Sequence, residues 1–505
     1  MRAPLFLSLL VTLTTISTSN PLYAVSSKPE TFYYTLDNGL RLIVRPDHRA
    51  PVAVTQVWYQ VGSSYEYEGI TGISHMLEHL MFKGTKTYPA GEFVSIIAEN
   101  GGDQNAFTSL DYTVYYEELE ARRIPLAFEL EADRMRNIDY TDEELLTERD
   151  VVAEERRLRT EDNPVARMYE RFNAIAQVTS PYRHPVVGWM DDINRYTRSD
   201  IETWYDKWYA PNNAIVVVVG DVEPKTIYQL AEHHFGKIPP SQHLSKDIPT
   251  LKPPPAVPPL GERRIEVATP SLIPYLYLGY NVPVVNTANE TWEPYALDVL
   301  VGVLAGGESA RLSRTLVREQ LMASEVGAIY NPFDRLDTVL ILGGVPTQNH
   351  TPEELEAALR QQVQVMQTAL VSPQELQRVK TQVIANEIYA RDSMTQQALQ
   401  IGSLASVGLS PELVDEYVNN INAVTAEQVQ QVAQRYLTSE RLTVGILVPE
   451  TQTKVPAPAV AMEASAGSPG NAEMAITPTT TAVNPTASAT TTTPSATTAT
   501  QEQAQ

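Results

Sequence analysis

The stretch GISHMLEHLMFKGT, residues 72–85, holds two histidines and a glutamate whose types and spacing could do chemistry. On a helix, positions i, i+3 and i+4 share one face, so His75, Glu78 and His79 project together. Two imidazoles four residues apart can hold one zinc at ~2.0–2.1 Å each. A glutamate between them can reach a water on that metal, the H-x-x-E-H arrangement. The same spacing also fits a helix that merely carries two solvated histidines. A third ligand is needed to choose between the two.

The segment TDEELLTERDVVAEERRLRTED, residues 141–162, offers one. Taken alone, its many carboxylates describe a solvated charged face. Yet Glu148 and Glu155 are seven residues apart, two turns, and so lie on one side of a helix. Val151 and Val152 between them are expected to mark that side as buried. A buried carboxylate needs a cation or hydrogen-bond donors. Glu155 as ligand, with Glu148 behind it orienting a histidine, meets that need.

These residues need rigid elements to hold them. LRLIVRP and VAVTQVWYQVG are predicted as adjacent strands. Residues 73–83 are predicted helical. GEFVSIIAEN is a second helix, stopped by Gly101-Gly102. DQNAFTSLDYTVYYEEL alternates and is predicted as a hairpin. Two further helices follow, the second opening on a capping box, Thr141 with Glu144.

Near residue 193 the chain reads INRYTRSDIETWYDKWYAPNNAIVVVVGDV, and near residue 421 INAVTAEQVQQVAQRYLTSERLTVGILVPE. Both give Ile-Asn, a Thr four residues after the Ile, an amphipathic helix and an apolar strand. An internal duplication explains the order and spacing. The expected fold class is α+β: two homologous α/β sandwich domains, at 28–240 and 262–450. A Pro-rich linker, 241–261, joins them. Sheet order is not readable.

The chain has 505 residues, 43% of them hydrophobic, enough for two cores. Its formal net charge of −23 argues against nucleic acid or an anionic membrane surface as main partner. It has no cysteine, so any transition-metal site must use His, Asp and Glu. Residues 1–24 have the Arg2, apolar run and small-residue end of a signal peptide. The expected location is therefore exported, periplasmic or extracellular, with no membrane span after signal removal. Residues 451–505, rich in Thr, Ala and Pro, are expected to be disordered. His184, His233, His234 and His243 are expected at the solvated surface.

His75 to His79, with Glu148 and Glu155 downstream, resembles the pitrilysin/insulinase zinc metallopeptidases. The likeness is to shorter members, such as mitochondrial processing peptidase β subunits and bacterial relatives. LDNGLRLIVRPD, NGGDQNAFTSLDYTVYYEEL and GGESARLSRTLVREQ add to it, and it spans about residues 30 to 450. The resemblance implies one zinc per chain, held by His75, His79 and Glu155. It implies Glu78 as the general base that activates water, and Glu148 as the residue supporting a ligand. It implies that Asn105 and Ala106 lie on an edge strand that pairs with peptide substrates, and that Phe82 helps line a side-chain pocket. The implied function is a zinc-dependent endopeptidase acting on peptides or unfolded polypeptides.

One feature departs from the pattern. Active relatives carry an Arg and a Tyr seven residues apart in the second domain, which hold the substrate carbonyl. Arg318 is present, but Ser324 or Glu325 falls where the Tyr should be. Loss of one such donor can cost ~10²–10³ in rate. The expectation is a dimer, in particular a heterodimer whose partner lacks the zinc motif and supplies the missing pair. The rival is a weak or inactive subunit that acts as a binding or scaffold partner.

Overall fold

A computed structural model describes residues 30–244 and 260–450. The signal peptide, most of the linker and the C-terminal tail read from the sequence lie outside the described residues.

The first sheet contains β1 (Phe32–Thr35), β2 (Arg41–Pro46), β3 (Val52–Tyr59), β4 (Asp103–Thr108), β5 (Thr113–Glu120) and β6 (Ala214–Gly220). The second contains β7 (Arg263–Thr269), β8 (Tyr275–Val282), β9 (Ala323–Ile329), β10 (Thr338–Pro346) and β11 (Leu442–Pro449). The orders are β1-β2-β6-β3-β5-β4 and β7-β11-β8-β10-β9.

β2 and β3, consecutive strands in the sequence as expected, do not pair with each other. β6 lies between them, parallel to β2 and antiparallel to β3. Its sequence, AIVVVVG, is buried at every position. Such a strand needs cover on both faces and a neighbour at each edge, which the sheet interior provides.

Without β1, the two orders correspond strand for strand. In each half the last strand runs parallel to the first, β6 to β2 and β11 to β7. Thr197 and Thr425, the matched threonines, both close capping boxes, on the helices Arg198–Trp208 and Ala426–Tyr436. Two homologous α/β domains are therefore present.

The first five α-helices after β3 are α1 (Ile73–Leu80), α2 (Glu92–Glu99), α3 (Ile124–Asn137), α4 (Asp142–Arg156) and α5 (Pro164–Ala176). One face of the first sheet packs on helices of its own half, through Leu42, Val57, Val216 and Val218 with Met76 and Leu77 of α1. The other face is covered from the opposite half. Ala398, Ile401 and Ala405, on the helix Met394–Ser406, pack on Val54, Trp58 and Ile215. Reciprocally, Met168 and Phe172 of α5 pack on Val267, Tyr277 and Leu447 of the second sheet. Glycines make room for the large rings: Gly402 lies against Trp58, and Gly279 and Gly445 against Phe172. A buried polar junction adds to this exchange. Arg335 donates to Asp111 Oδ1 and to Ser64 Oγ, each at 2.8 Å.

Candidate active site

α1 is short, and its entry is fixed by backbone. Gly72 takes φ +85°, and a Cβ there would run into the Val187 carbonyl. Glycine offers no side-chain cap, so buried Glu66 caps the helix instead. It accepts from Gly72 N at 2.5 Å and from Ser74 N at 2.9 Å. Met76, Leu77 and Leu80 are fully buried. The helix is therefore packed, and His75 and Glu78 are only 6% and 7% exposed. Two freely solvated histidines are not what this helix carries.

α4 starts at the expected capping box, with Thr141 Oγ1 accepting from Glu144 N. Val152 is buried, but Val151 is 45% exposed and does not mark the buried side as expected. At about 100° per residue, Val152 lies between the directions of Glu148 and the core. Val151 is turned about 60° to the other side, toward solvent.

The two helices bring the predicted ligands together. His79 Nε2 lies 3.3 Å from Glu155 Oε2, and His75 Nε2 lies 3.7 Å from Glu155 Oε1. One ligand atom from each of His75, His79 and Glu155 falls within 4.8 Å of the others, and no other such group occurs among the described residues. Two imidazole nitrogens and a carboxylate suit zinc, and three protein ligands leave a fourth position open. The residues present therefore fit one such ion.

Glu148 Oε2 lies 3.1 Å from His79 Nδ1, and Lys83 pairs with its other oxygen. Arg159 Nη1 is 2.7 Å from Glu155 Oε1. Arg159 lies in a wide π-type turn over residues 157–161, at the end of α4. Glu78 Oε2 accepts from Thr108 Oγ1 at 2.6 Å.

Burial pushes the Glu78 carboxyl up to about 7, against the hydrogen bond from Thr108 and the charge of His79. Burial disfavours the His79 imidazolium, but Glu148 and Glu155 outweigh it and raise the ring to about 9. Burial also opposes the Glu155 carboxylate. His79, His75 and Arg159 overrule it and hold Glu155 down at about 2. A metal would replace the His79 proton, since only neutral imidazole ligates.

Asn105 and Ala106 sit on β4, the outermost strand of the first sheet among the described residues. Phe82 lines a narrow cleft with Met81, Tyr88, Phe93 and Arg134, and the Arg134 guanidinium stands 5.6 Å from its ring. Arg318 is not brought to the cluster. It is exposed in the second half and donates to the Glu308 carbonyl at 2.6 Å. Ser324 is skipped in the pairing of β9 with β10, where Ala323 faces Pro346 and Glu325 faces Val345. It is therefore a bulge residue, its hydroxyl donating to Val345 O at 3.3 Å. Just before it, Leu321 takes φ +53°. His184, expected at the surface, is 5% exposed instead.

Residues 41–188 match the insulinase family (peptidase family M16), and residues 195–383 match the peptidase M16 inactive domain. A zinc protease, PqqE, of Helicobacter pylori is 34% identical over 362 residues, which is 71% of this chain and 80% of that protein.

The chain belongs to the insulinase family of peptidases.

The crystal structure of a protease from Helicobacter pylori is similar to it, at 31% identity and TM-score 0.78, covering 84% of this chain and all of that one. The periplasmic protease PqqL of Escherichia coli shares the fold, at 20% identity and TM-score 0.69, over 84% of this chain and 48% of that one. Within this insulinase-family chain, sequence reasoning missed Glu66, Lys83, Thr108 and Arg159. Lys83 and Arg159 each stand four residues after a candidate ligand, a helical spacing that could have pointed to them. Glu66 and Thr108 reach the site only through the fold.

Proposed function

We propose that this chain is a zinc-dependent endopeptidase that hydrolyses peptides or unfolded polypeptides. One observation carries the reading: the ligand atoms of His75, His79 and Glu155 converge beside Glu78 on the same packed helix. The name of the Helicobacter pylori relative supports it.

His75, His79 and Glu155 would hold the ion. Bound zinc would acidify a water and polarise the scissile carbonyl. Glu78 would serve as the general base, taking a proton from the attacking water and delivering it to the leaving amine. Burial raises its carboxyl above the ordinary carboxylate range, the direction that suits a group which must both take and give a proton. Glu148 orients His79. The peptide adds as a strand along β4, where backbone hydrogen bonds hold it with little regard to sequence.

The oxyanion side is incomplete in this chain. Arg318 points to Glu308, and Ser324 is bulged out of the ladder. This favours a heterodimer with a related chain that lacks the zinc motif and supplies both groups. Export to the periplasm or medium completes the proposal. It rests on the apolar N-terminal run, and no helix of the described residues is long and apolar enough to cross a membrane.

The test is cleavage of a quenched, unstructured peptide by the mature protein and any co-purifying partner, with and without chelator. Glu78→Gln should keep one metal per chain and lose roughly 10²–10⁴-fold in rate. Cleavage that survives both chelator and Glu78→Gln would sink the reading.

A further inference from the structure

β4 ends on Thr108, whose register partner on β5 is Thr113. Thr108 Oγ1 lies 2.6 Å from Glu78 Oε2 and 3.4 Å from Thr113 Oγ1. Thr113 donates its own proton to the Val61 carbonyl at 2.9 Å. A hydroxyl has one proton, so Thr113 has none left for Thr108. Only Thr108 could then donate between the two, and its single proton goes to the carboxylate at 2.6 Å, not to Thr113 at 3.4 Å. Both threonines are buried, Thr108 at 6% exposure and Thr113 at 0%. A hydrogen bond to a carboxylate in such surroundings is stronger than one between neutral groups.

We propose that Thr108 is a positioning residue for Glu78, tying Oε2 to the edge strand and turning Oε1 toward the reacting water. The inference rests on the peptidase reading above. It gives β4 two tasks on one rigid element. Ala106 and Thr108 alternate onto the buried face, toward α1. The strand's backbone edge receives the peptide, while the Thr108 side chain holds the base. The hydrogen bond thus ties the base on α1 to the strand that would hold the scissile bond, which fixes the orientation of the Glu78 carboxylate relative to the peptide.

A purely structural role for Thr108 would be to fill space and cover a buried carboxylate. Two variants separate the roles. Thr108→Val keeps the shape and removes the donor; Thr108→Ser keeps the donor and removes a methyl group. Kinetics on the quenched peptide, metal content and thermal melting are read for both. Thr108→Val should lower kcat roughly ten- to a hundredfold, with KM within about twofold and one metal per chain retained. Thr108→Ser should stay within about threefold of wild type.

A second readout needs neither metal nor turnover. The infrared carboxyl band of Glu78, assigned by difference from Glu78→Gln, should move in Thr108→Val and hold in Thr108→Ser. Equal kcat in both variants beside an active wild type, or an unmoved band in Thr108→Val, overturns the role of Thr108 alone. A metal-loaded wild-type complex that cleaves nothing overturns the peptidase reading and this inference with it.

Discussion

Glu148 Oε2 stands 3.1 Å from His79 Nδ1, and on the far side of the same ring His79 Nε2 faces Glu155 at 3.3 Å. The carboxylate of Glu148 thus occupies one nitrogen of His79 and leaves the other facing Glu155. Burial works against that carboxylate, but His79 and Lys83 together hold it below the usual carboxylate range.

Glu148→Gln should therefore weaken metal binding ~10–100-fold while the fold survives. Competition with a chromogenic chelator measures it. Unchanged affinity would mean that the His79 ring is oriented by packing alone.

His184 gives a pH dependence of stability. Burial and the charge of Arg183 lower its pKa below the ordinary 6.5. The unfolded chain binds that proton more readily than the folded one. The stabilising contribution of the neutral ring is complete above pH 6.5 and is lost as pH falls through the depressed value. The wild-type melting temperature should drop more steeply between about pH 7 and 5 than that of His184→Gln. Parallel curves for the two proteins would rule out this contribution.

Phe172 tests the exchange of helices between the halves. Its ring sits fully buried against Gly279 and Gly445, so Phe172→Ala should cost ~3–5 kcal/mol in urea unfolding. Leu158→Ala, at a residue 63% exposed, should change stability by less than ~0.5 kcal/mol and serves as the control. A Phe172→Ala loss as small as the control would mean that α5 contributes little to the second sheet.

The sequence by itself determined the residues that could ligate. His75, Glu78 and His79 share a helix face through spacing, and Glu148 and Glu155 do so two turns apart, because helical periodicity is a local property. The capping box at Thr141 was legible for the same reason, whereas Thr197 and Thr425 were legible only as matching positions of the two halves and the structure shows that they cap as well. Tertiary structure decided what depends on residues far apart in the chain. It put β6 between β2 and β3, because an all-apolar strand must be covered on both faces. It turned Val151 to solvent and enclosed His184. It laid α5 and the helix Met394–Ser406 on each other's sheets, with glycines opposite aromatic rings that no local pattern announces. It also placed Thr108 against Glu78, a contact across 30 residues of chain. Spacing along a helix fixes which side chains face one way; only packing fixes what they meet.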